Sequence, residues 1–362
     1  MRGSARFLLL LVTGACILIV YLSIVNPEAV LAEILKANAW LLLLALPLEM
    51  AFILLFGLAW FALLRSVEER VSLKECLSIS LVSLFGDLMI PTASVTGEMI
   101  RLTLAKKKMG IELNKTLASV LVHRIMNLMA LIPFLLLGLM SFRSSRSNDV
   151  GPLILLILAL MAVGIGLPLL RYLGKSRMFQ EYMYRTSQKF LKAFKKWSDK
   201  TSAVVEHNIN EFCQALDKMF SKPQILVLSF VMFLGQWGAA MTIPYVVFLS
   251  LNYEVPYSLI LIAYPVYSLS YMAPVGIPAM LGIVESAMTA TFVALGIAPS
   301  IASSASILTR AIAVWFEVAV TGSVTALYSA DIFRELFKRG ESRGSVHGDE
   351  PKVVSSPNRE IR

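Results

Sequence analysis

The sequence predicts an all-α polytopic membrane protein. Three observations carry that prediction: the composition, the length of the apolar blocks, and the placement of basic residues between them. Of 362 residues, 57% are apolar and 16% are charged, against roughly 45–50% and about 25% in a soluble domain. No single water-facing globule buries such an excess. The apolar residues fall in blocks close to the roughly 20 residues a helix needs to cross a hydrocarbon core about 30 Å thick. The formal net charge is +9, with the lysines and arginines mostly between blocks. That distribution predicts a multi-pass protein of the cell membrane whose basic loops stay cytoplasmic. No nucleic-acid-binding motif accompanies the charge, so nucleic acid is not an expected partner.

Residues 7–25 form the first block, preceded by Arg2 and Arg6. The stretch is long and no convincing small-residue cleavage site follows, which favours a retained span over a signal peptide. Residues 40–64 form the second span and carry Pro47 and Glu49. Residues 73–90 are apolar but broken by Asp87 and stopped by Pro91, and residues 91–109 are mixed. Residues 116–140, with Arg124 inside, and residues 152–173 read as spans. So do residues 224–251, which contain Gln236 and Trp237. Residues 257–272 end at Ala273-Pro274, and residues 275–295 are broken by Gly276, Pro278 and Gly282 and contain Glu285. The last span, residues 301–328, holds Arg310 and Glu317. Together these make one transmembrane domain, residues 1–335, followed by a polar tail, 336–362, expected to be disordered.

Residues 174–222 are basic and amphipathic. In the run KFLKAFKKW (189–197), Phe190, Leu191, Phe194 and Trp197 recur at helical spacing among lysines. Such a segment fits a cytoplasmic helix lying on anionic lipid headgroups, and equally a solvated connector. The cysteines Cys16, Cys76 and Cys213 are far apart and form no CxxC pair. With no HExxH and no GxxxxGK[ST], neither a metal site, a disulfide framework, a cofactor nor ATP hydrolysis is expected.

Two regions resemble each other, about 39–140 and about 224–328. The first runs Pro91, Gly97-Glu98, Gly110-Ile111, Arg124; the second Pro274, Gly282, Glu285, Gly296-Ile297, Arg310. Each arginine follows its Gly-Ile pair's glycine by 14 positions, and the glutamates precede the glycines by 12 and 11. Irregular backbone is not tolerated against lipid, so Pro/Gly-broken segments at matching places point to re-entrant hairpins around a site. With residues 72–109 and 257–296 as hairpins, six full spans remain and both termini are cytoplasmic. The loops at 65–75 and 106–115 and the stretch 171–222 then carry 3, 4 and 11 Lys/Arg on the inside, while the outer loops 26–38, 141–151 and 251–256 carry 1, 2 and 0. This satisfies the positive-inside rule and makes the repeats inverted. If both segments cross fully, there are eight spans and 171–222 falls outside.

Charges at membrane depth are costly, about 3 kcal/mol each on insertion scales. They therefore face protein or a wet cavity and pair with one another. Glu98 and Arg101 are three apart and share a helix face; Arg310 and Glu317 are seven apart, two turns along one face. Arg124 has His123 beside it and Asn127 three residues on. The hairpin glutamates Glu98 and Glu285 and the arginines Arg101, Arg124 and Arg310 are the candidate substrate-binding residues, with Glu49, Asp87, Asn127 and Glu317 as secondary candidates. They are expected to line one central cavity. A planar, always-charged guanidinium suits phosphate, and helix N-termini at the hairpin breaks add positive dipole ends. The same residues also fit internal salt bridges that hold the hairpins. Glu49 also fits an interfacial position, and Asp87 a cap for the helix that follows Pro91.

The run GDLMIPTASVTGEMIRLTLAKKKMGIELNKTLASVLVHRIMNL (86–128) resembles the first signature of the lysylphosphatidylglycerol synthase transmembrane region, also called the flippase-like or UPF0104 family. The matching positions are Pro91, Gly97-Glu98, Arg101, Gly110-Ile111 and Arg124. The run APVGIPAMLGIVESAMTATFVALGI (273–297) is similar to the second signature, with Pro274, Gly276, Gly282 and Glu285. His123 stands where the family usually has glutamate, and the Gly-Gly turn is thinned to Val275-Gly276-Ile277-Pro278. The resemblance implies a flippase that moves an anionic phospholipid or a polyprenyl-phosphate-linked lipid. It also implies that the chain, which ends soon after the last span, lacks the aminoacyl-transferase domain of the full synthases and is not an enzyme. A membrane-embedded enzyme using Glu98 or Glu285 as acid/base, and a non-transporting accessory subunit of lipid or glycan assembly, are the alternatives. In the flippase reading, Glu98 and Glu285 pair with the arginines when the site is empty, or carry coupling protons. The sequence specifies no oligomeric state.

Overall fold

The computed structural model describes residues 2–90, 92, 94–143, 171–172, 175–193, 198–273 and 275–328. Among them all regular secondary structure is helical. Four helical segments are long and apolar enough to cross a membrane: Ala39–Val67, Leu113–Ser141, Pro223–Ser250 and Pro299–Tyr328. A helix pair bent by 89° near the N-terminus, Leu8–Ile24 with Pro27–Leu35, is apolar enough to make a fifth if its two parts form one span. The expected span at residues 152–173 lies outside the described residues except for its final turn, as do Pro91, Pro274 and the tail from 336.

Helix α1 (Arg2–Ile24) turns by 89° into α2 (Pro27–Leu35). The loop expected at 26–38 is therefore largely helix. The bend follows from Asn26-Pro27: proline lacks an N–H and excludes its predecessor from the α region, while asparagine tolerates the left-handed one. Asn26 has φ 61° and its side chain accepts from the Ala29 N–H. Tyr21 shares a 2.7 Å hydrogen bond with Thr289, and Ser304 donates to the Val30 carbonyl at 3.2 Å, so both halves of the bend seat on the C-terminal part of the chain.

The centre is an antiparallel pair, α3 (Ala39–Val67) and α10 (Pro223–Ser250). At one end the Asn38 N–H donates to the Ser250 carbonyl at 2.8 Å. At the other, Lys222 and Lys218 donate to the Ser66 and Val67 carbonyls at 2.9 and 3.0 Å. Those lysines satisfy orphan carbonyls where the helix dipole favours cations. The same end gathers the Lys115–Glu68 ion pair (3.2 Å), the Asn114–Asn208 bond (2.9 Å) and Lys108 over the Tyr328 ring. Three basic loops that charge counting groups together thus meet at one end of the bundle. Leu43, Leu44, Val227 and Val231 on the outer faces are exposed, as a lipid-facing belt requires.

Beside this pair lie α4 (Leu73–Met89) and α5 (Val95–Met109). At about 1.5 Å per residue, 17- and 15-residue helices fall short of a core about 30 Å thick. Gly110, at φ 68°, ends α5 in the left-handed conformation and leads into α6 (Leu113–Met129), continued after a break at Ala130 by α7 (Leu131–Arg143). The expected span at 116–140 falls within the membrane-length segment Leu113–Ser141, with a local break before Pro133, which has no N–H to offer the preceding turn.

The basic stretch forms α8 (Arg177–Ala193) and α9 (Asp199–Phe220). The apolar face of α9 (Ile209, Phe212, Leu216 and Met219) is buried in the core formed with α3 and α6. The apolar stripe of residues 199–220 is thus covered by protein. Phe194 and Trp197 lie outside the described residues.

The second half repeats the pattern with more broken backbone. Helix α11 (Tyr257–Ser268) runs into a 3-10 turn, Leu269–Met272, then another, Pro278–Met280, before α12 (Ile283–Ala294). Gly276, Ala279, Met280 and Gly282 all have positive φ. Gly296, at φ 93°, turns into α13 (Pro299–Arg310), which continues as a π-helix, Ala311–Phe316, and then α14 (Glu317–Tyr328). At Gly282 (φ 81°) a Cβ would sit 2.8 Å from the Leu18 backbone nitrogen on α1. Gly282→Ala is expected to cost about 2 kcal/mol or more, combining left-handed strain with the clash. A melting temperature within a degree of wild type would refute that.

Candidate functional site

Each broken hairpin positions one glutamate in the first turn of its second helix, and the following helix answers with an arginine. Arg124 lies eleven residues beyond Leu113 in α6, and Arg310 eleven beyond Pro299 in α13. Equal depth along the returning helix brings each guanidinium back to its hairpin's glutamate. Arg124 Nη1 donates to Glu98 Oε1 at 2.6 Å, and Arg310 Nε to Glu285 Oε1 at 3.0 Å.

The two pairs differ in setting. Glu285 and Arg310 side chains are 6% exposed each, whereas Glu98 and Arg124 are 22% and 35% exposed. Glu285 also accepts the Gly282 N–H at 2.8 Å, turning an irregular backbone inward. Arg310 further donates to the Tyr271 hydroxyl at 2.8 Å and to the Ala279 carbonyl. Each nitrogen of its fork is engaged. Between Arg310 and Glu317 the helix is π-helical, and both residues reach the same cavity wall. They form no ion pair among the described residues.

Nor does Arg101 pair with Glu98, since Arg124 takes that carboxylate. Arg101, 3% exposed, lies over the Phe56 and Trp60 rings at 4.8 and 5.5 Å. Its Nη1 meets His123 Nδ1 at 3.4 Å, while His123 Nε2 lies 3.1 Å from the Phe56 carbonyl. Only the tautomer with hydrogen on Nε2 serves both: the ring donates to the carbonyl and accepts from arginine. The histidine that departs from the family pattern is thus an orienting neighbour of Arg101. Arg101 Nε has no hydrogen-bond partner among the described residues. Asp87 Oδ1 accepts the Gly97 N–H at 2.7 Å, so Asp87 does cap the helix after the break.

Between the two pairs lies a cavity of about 340 Å³. Its wall includes Glu49, Asp87, Glu98, Arg101, Arg124, Asn127, Arg310 and Glu317, eight of the nine sequence candidates. Glu285 is not on the wall; it stands behind Arg310. Asn127 donates to Gln236 at 3.1 Å, and the Trp237 indole to the Asn127 carbonyl at 2.9 Å, joining α6 to α10. Tyr264 and Tyr271 complete the wall. They carry no charge and sit in a segment read only as apolar, so periodicity gave no sign of them. Among the described residues, no three His, Cys, Asp or Glu side chains converge as a metal site would require.

This arrangement coincides with a known sequence pattern: the model of the lysylphosphatidylglycerol synthase TM region matches residues 6–321. The chain belongs to that family. It is therefore a multi-pass integral membrane protein, and both hairpins and both Glu–Arg pairs lie within the matched region. The chain is 22% identical over 321 residues to a UPF0104 membrane protein of Pyrococcus horikoshii, covering 87% of this chain and 95% of the relative. It is 23% identical over 301 residues to one from Methanothermobacter thermautotrophicus, covering 80% and 84%. A third, from Archaeoglobus fulgidus, is 27% identical over 224 residues, covering 60% and 66%.

Proposed function

We propose that this family member moves a lipid with an anionic headgroup between leaflets, the headgroup passing through the cavity while the tails stay in the bilayer. The observation that carries this reading is a cavity walled by three arginines at membrane depth, two of them held by glutamates on broken hairpins. Intramembrane charges are costly and mark pathways. The residues are suited to a phosphate: Arg124 and Arg101 offer planar donors on the wall, and Glu98 holds the Arg124 guanidinium until a headgroup displaces it. Arg310, buried and engaged at each nitrogen, serves first as the latch of the second hairpin. An anionic phospholipid and a polyprenyl phosphate share this chemistry.

In this reading residues 39–140 and 224–328 are inverted repeats within one transmembrane domain, with six spans and two re-entrant hairpins. The basic end of the bundle is cytoplasmic, as are both termini, in the plasma membrane. Anionic headgroups meet the exposed lysines and arginines of residues 174–222. The protein carries, rather than transforms, its lipid.

Native mass spectrometry of gently solubilised protein tests the site. Wild type is expected to retain a defined anionic lipid that Arg124→Ala loses nearly completely. Arg124→Ala/Arg310→Ala should lose it too. If wild type and both variants carry the same unspecific mixture, the arginines are structural pairs and the headgroup path falls.

A further inference from the structure

The cavity is not electrically balanced. Its wall carries the carboxyl groups of Glu49, Asp87, Glu98 and Glu317, with Glu285 directly behind Arg310, against the guanidiniums of Arg101, Arg124 and Arg310. Two carboxyl groups are in excess. Glu98 and Glu285 are taken by Arg124 and Arg310. Asp87 is held by the Gly97 amide and shares the wall with Arg101. Glu49 and Glu317 remain. Among the described residues neither makes an ion pair or a side-chain hydrogen bond. Glu49 is only 3% exposed, in the middle of α3, and its side chain is on the cavity wall. Glu317 reaches the same wall from the first turn of α14, beyond the π-helix.

We propose that Glu49 and Glu317 form a proton-binding site that holds a proton when the cavity is empty, and that headgroup passage is coupled to its release. A carboxylate buried without a counter-charge is strongly disfavoured, and protonation relieves this where no cation is available. The groups facing the two glutamates leave that need unmet. Arg310 faces both, but its charge is already answered by Glu285, and each of its nitrogens donates to Glu285, Tyr271 or the Ala279 carbonyl. From α6 come His123, which accepts from Arg101, and Arg124, which is paired with Glu98. Asp87 on α4 is itself acidic. Tyr264 and Tyr271 from the second hairpin and Gln236 from α10 are neutral. The coupling has a simple origin. A phosphate that enters displaces Glu98 from Arg124 and adds negative charge, so the proton balance of the whole wall shifts. The proposal places the coupling proton on Glu49 and Glu317 rather than on Glu98 and Glu285, whose carboxylates are already paired. The proton site stands on the charge balance alone; only the coupling rests on the flippase reading.

Two measurements on the full-length protein separate these parts. The first is infrared difference spectroscopy in nanodiscs between neutral and alkaline pH. Wild type is expected to show a protonated carboxyl C=O band at neutral pH that Glu49→Gln or Glu317→Gln removes and Asp87→Asn leaves in place. Glutamine mimics the protonated acid, so both variants should stay folded, as size-exclusion profile and melting temperature would check. A wild type without the band, or a band that survives in both variants, overturns the site. A band that appears only when choline replaces sodium overturns it in favour of a sodium site. The second is flipping of fluorescent phosphatidylglycerol in vesicles, read by dithionite quenching. A transmembrane pH gradient should change the wild-type rate by up to about tenfold per pH unit, the limit for one proton. The rate of Glu49→Gln should not respond. Wild-type flipping that ignores the gradient overturns the coupling. No flipping in any condition, of phosphatidylglycerol or of a fluorescent polyprenyl phosphate, overturns the flippase reading and the coupling with it, while the infrared result decides the proton site alone.

Discussion

Glu285→Ala is expected to be the most damaging single change at the site, lowering stability by about 3–5 kcal/mol, the usual cost of leaving one half of a buried ion pair alone. Arg310 would keep its Tyr271 and Ala279 contacts but lose the only carboxylate within reach at Nε. The Gly282 N–H would lose its acceptor too. Two linked comparisons make the prediction specific. Glu98→Ala should cost clearly less, because Glu98 and Arg124 are 22% and 35% exposed and water can replace the lost partner. Glu285→Met/Arg310→Met should recover much of the loss, since apolar side chains of similar volume replace buried pairs at little cost. Thermal unfolding in one detergent would measure all three. A double variant no more stable than Glu285→Ala would show that the pair is not the source of the penalty.

Gly97→Ala is the second large effect. A Cβ there would lie 2.2 Å from the Asp87 carboxylate and 2.7 Å from the Ser83 carbonyl on α4. The carboxylate can rotate away only by giving up the Gly97 N–H, and the carbonyl belongs to a helix that cannot yield. Overpacking and a lost charged hydrogen bond together suggest a loss of about 3 kcal/mol. Asp87→Ala added to Gly97→Ala should restore part of it, because one of the two clashes disappears. The helices of the first hairpin would separate in the single variant, so Glu98 would leave Arg124 and lipid retention should fall with stability. Unchanged melting and retention would mean that α4 and α5 do not need their close approach.

Much of this site could be read from the residues because its parts are ordered along the chain. The glycines at 110 and 296 announced left-handed turns, and the structure has φ 68° and 93° there. Equal glycine-to-arginine spacing implied that each arginine returns to its own glutamate, and both pairs form. Contacts between elements are what spacing along one helix does not reveal. The three-residue spacing of Glu98 and Arg101 is real, but a guanidinium from the next helix outcompetes it, and Arg101 settles among Phe56, Trp60 and His123. Amphipathicity of residues 199–220 is equally real, yet periodicity cannot say whether lipid or protein covers the stripe. The bend at 26–38 follows from Asn26-Pro27, a local signal that hydrophobic periodicity does not carry.

The π-helical turn at Ala311–Phe316 carries a further consequence. A π turn accommodates one residue more than the α turn it replaces, so the helix beyond it runs out of phase with the helix before it by about 100°. A single helical wheel drawn through residues 299–328 therefore assigns faces wrongly. Before the turn, Arg310 looks toward the second hairpin; after it, Gly322 packs on Phe85 of the first, with Leu327 left facing outward at 84% exposure. One continuous helix thus serves both hairpins on faces that no uniform α-helix could present together. Deleting one residue within 311–316 would bring the two halves into phase and point one of them at the wrong neighbour.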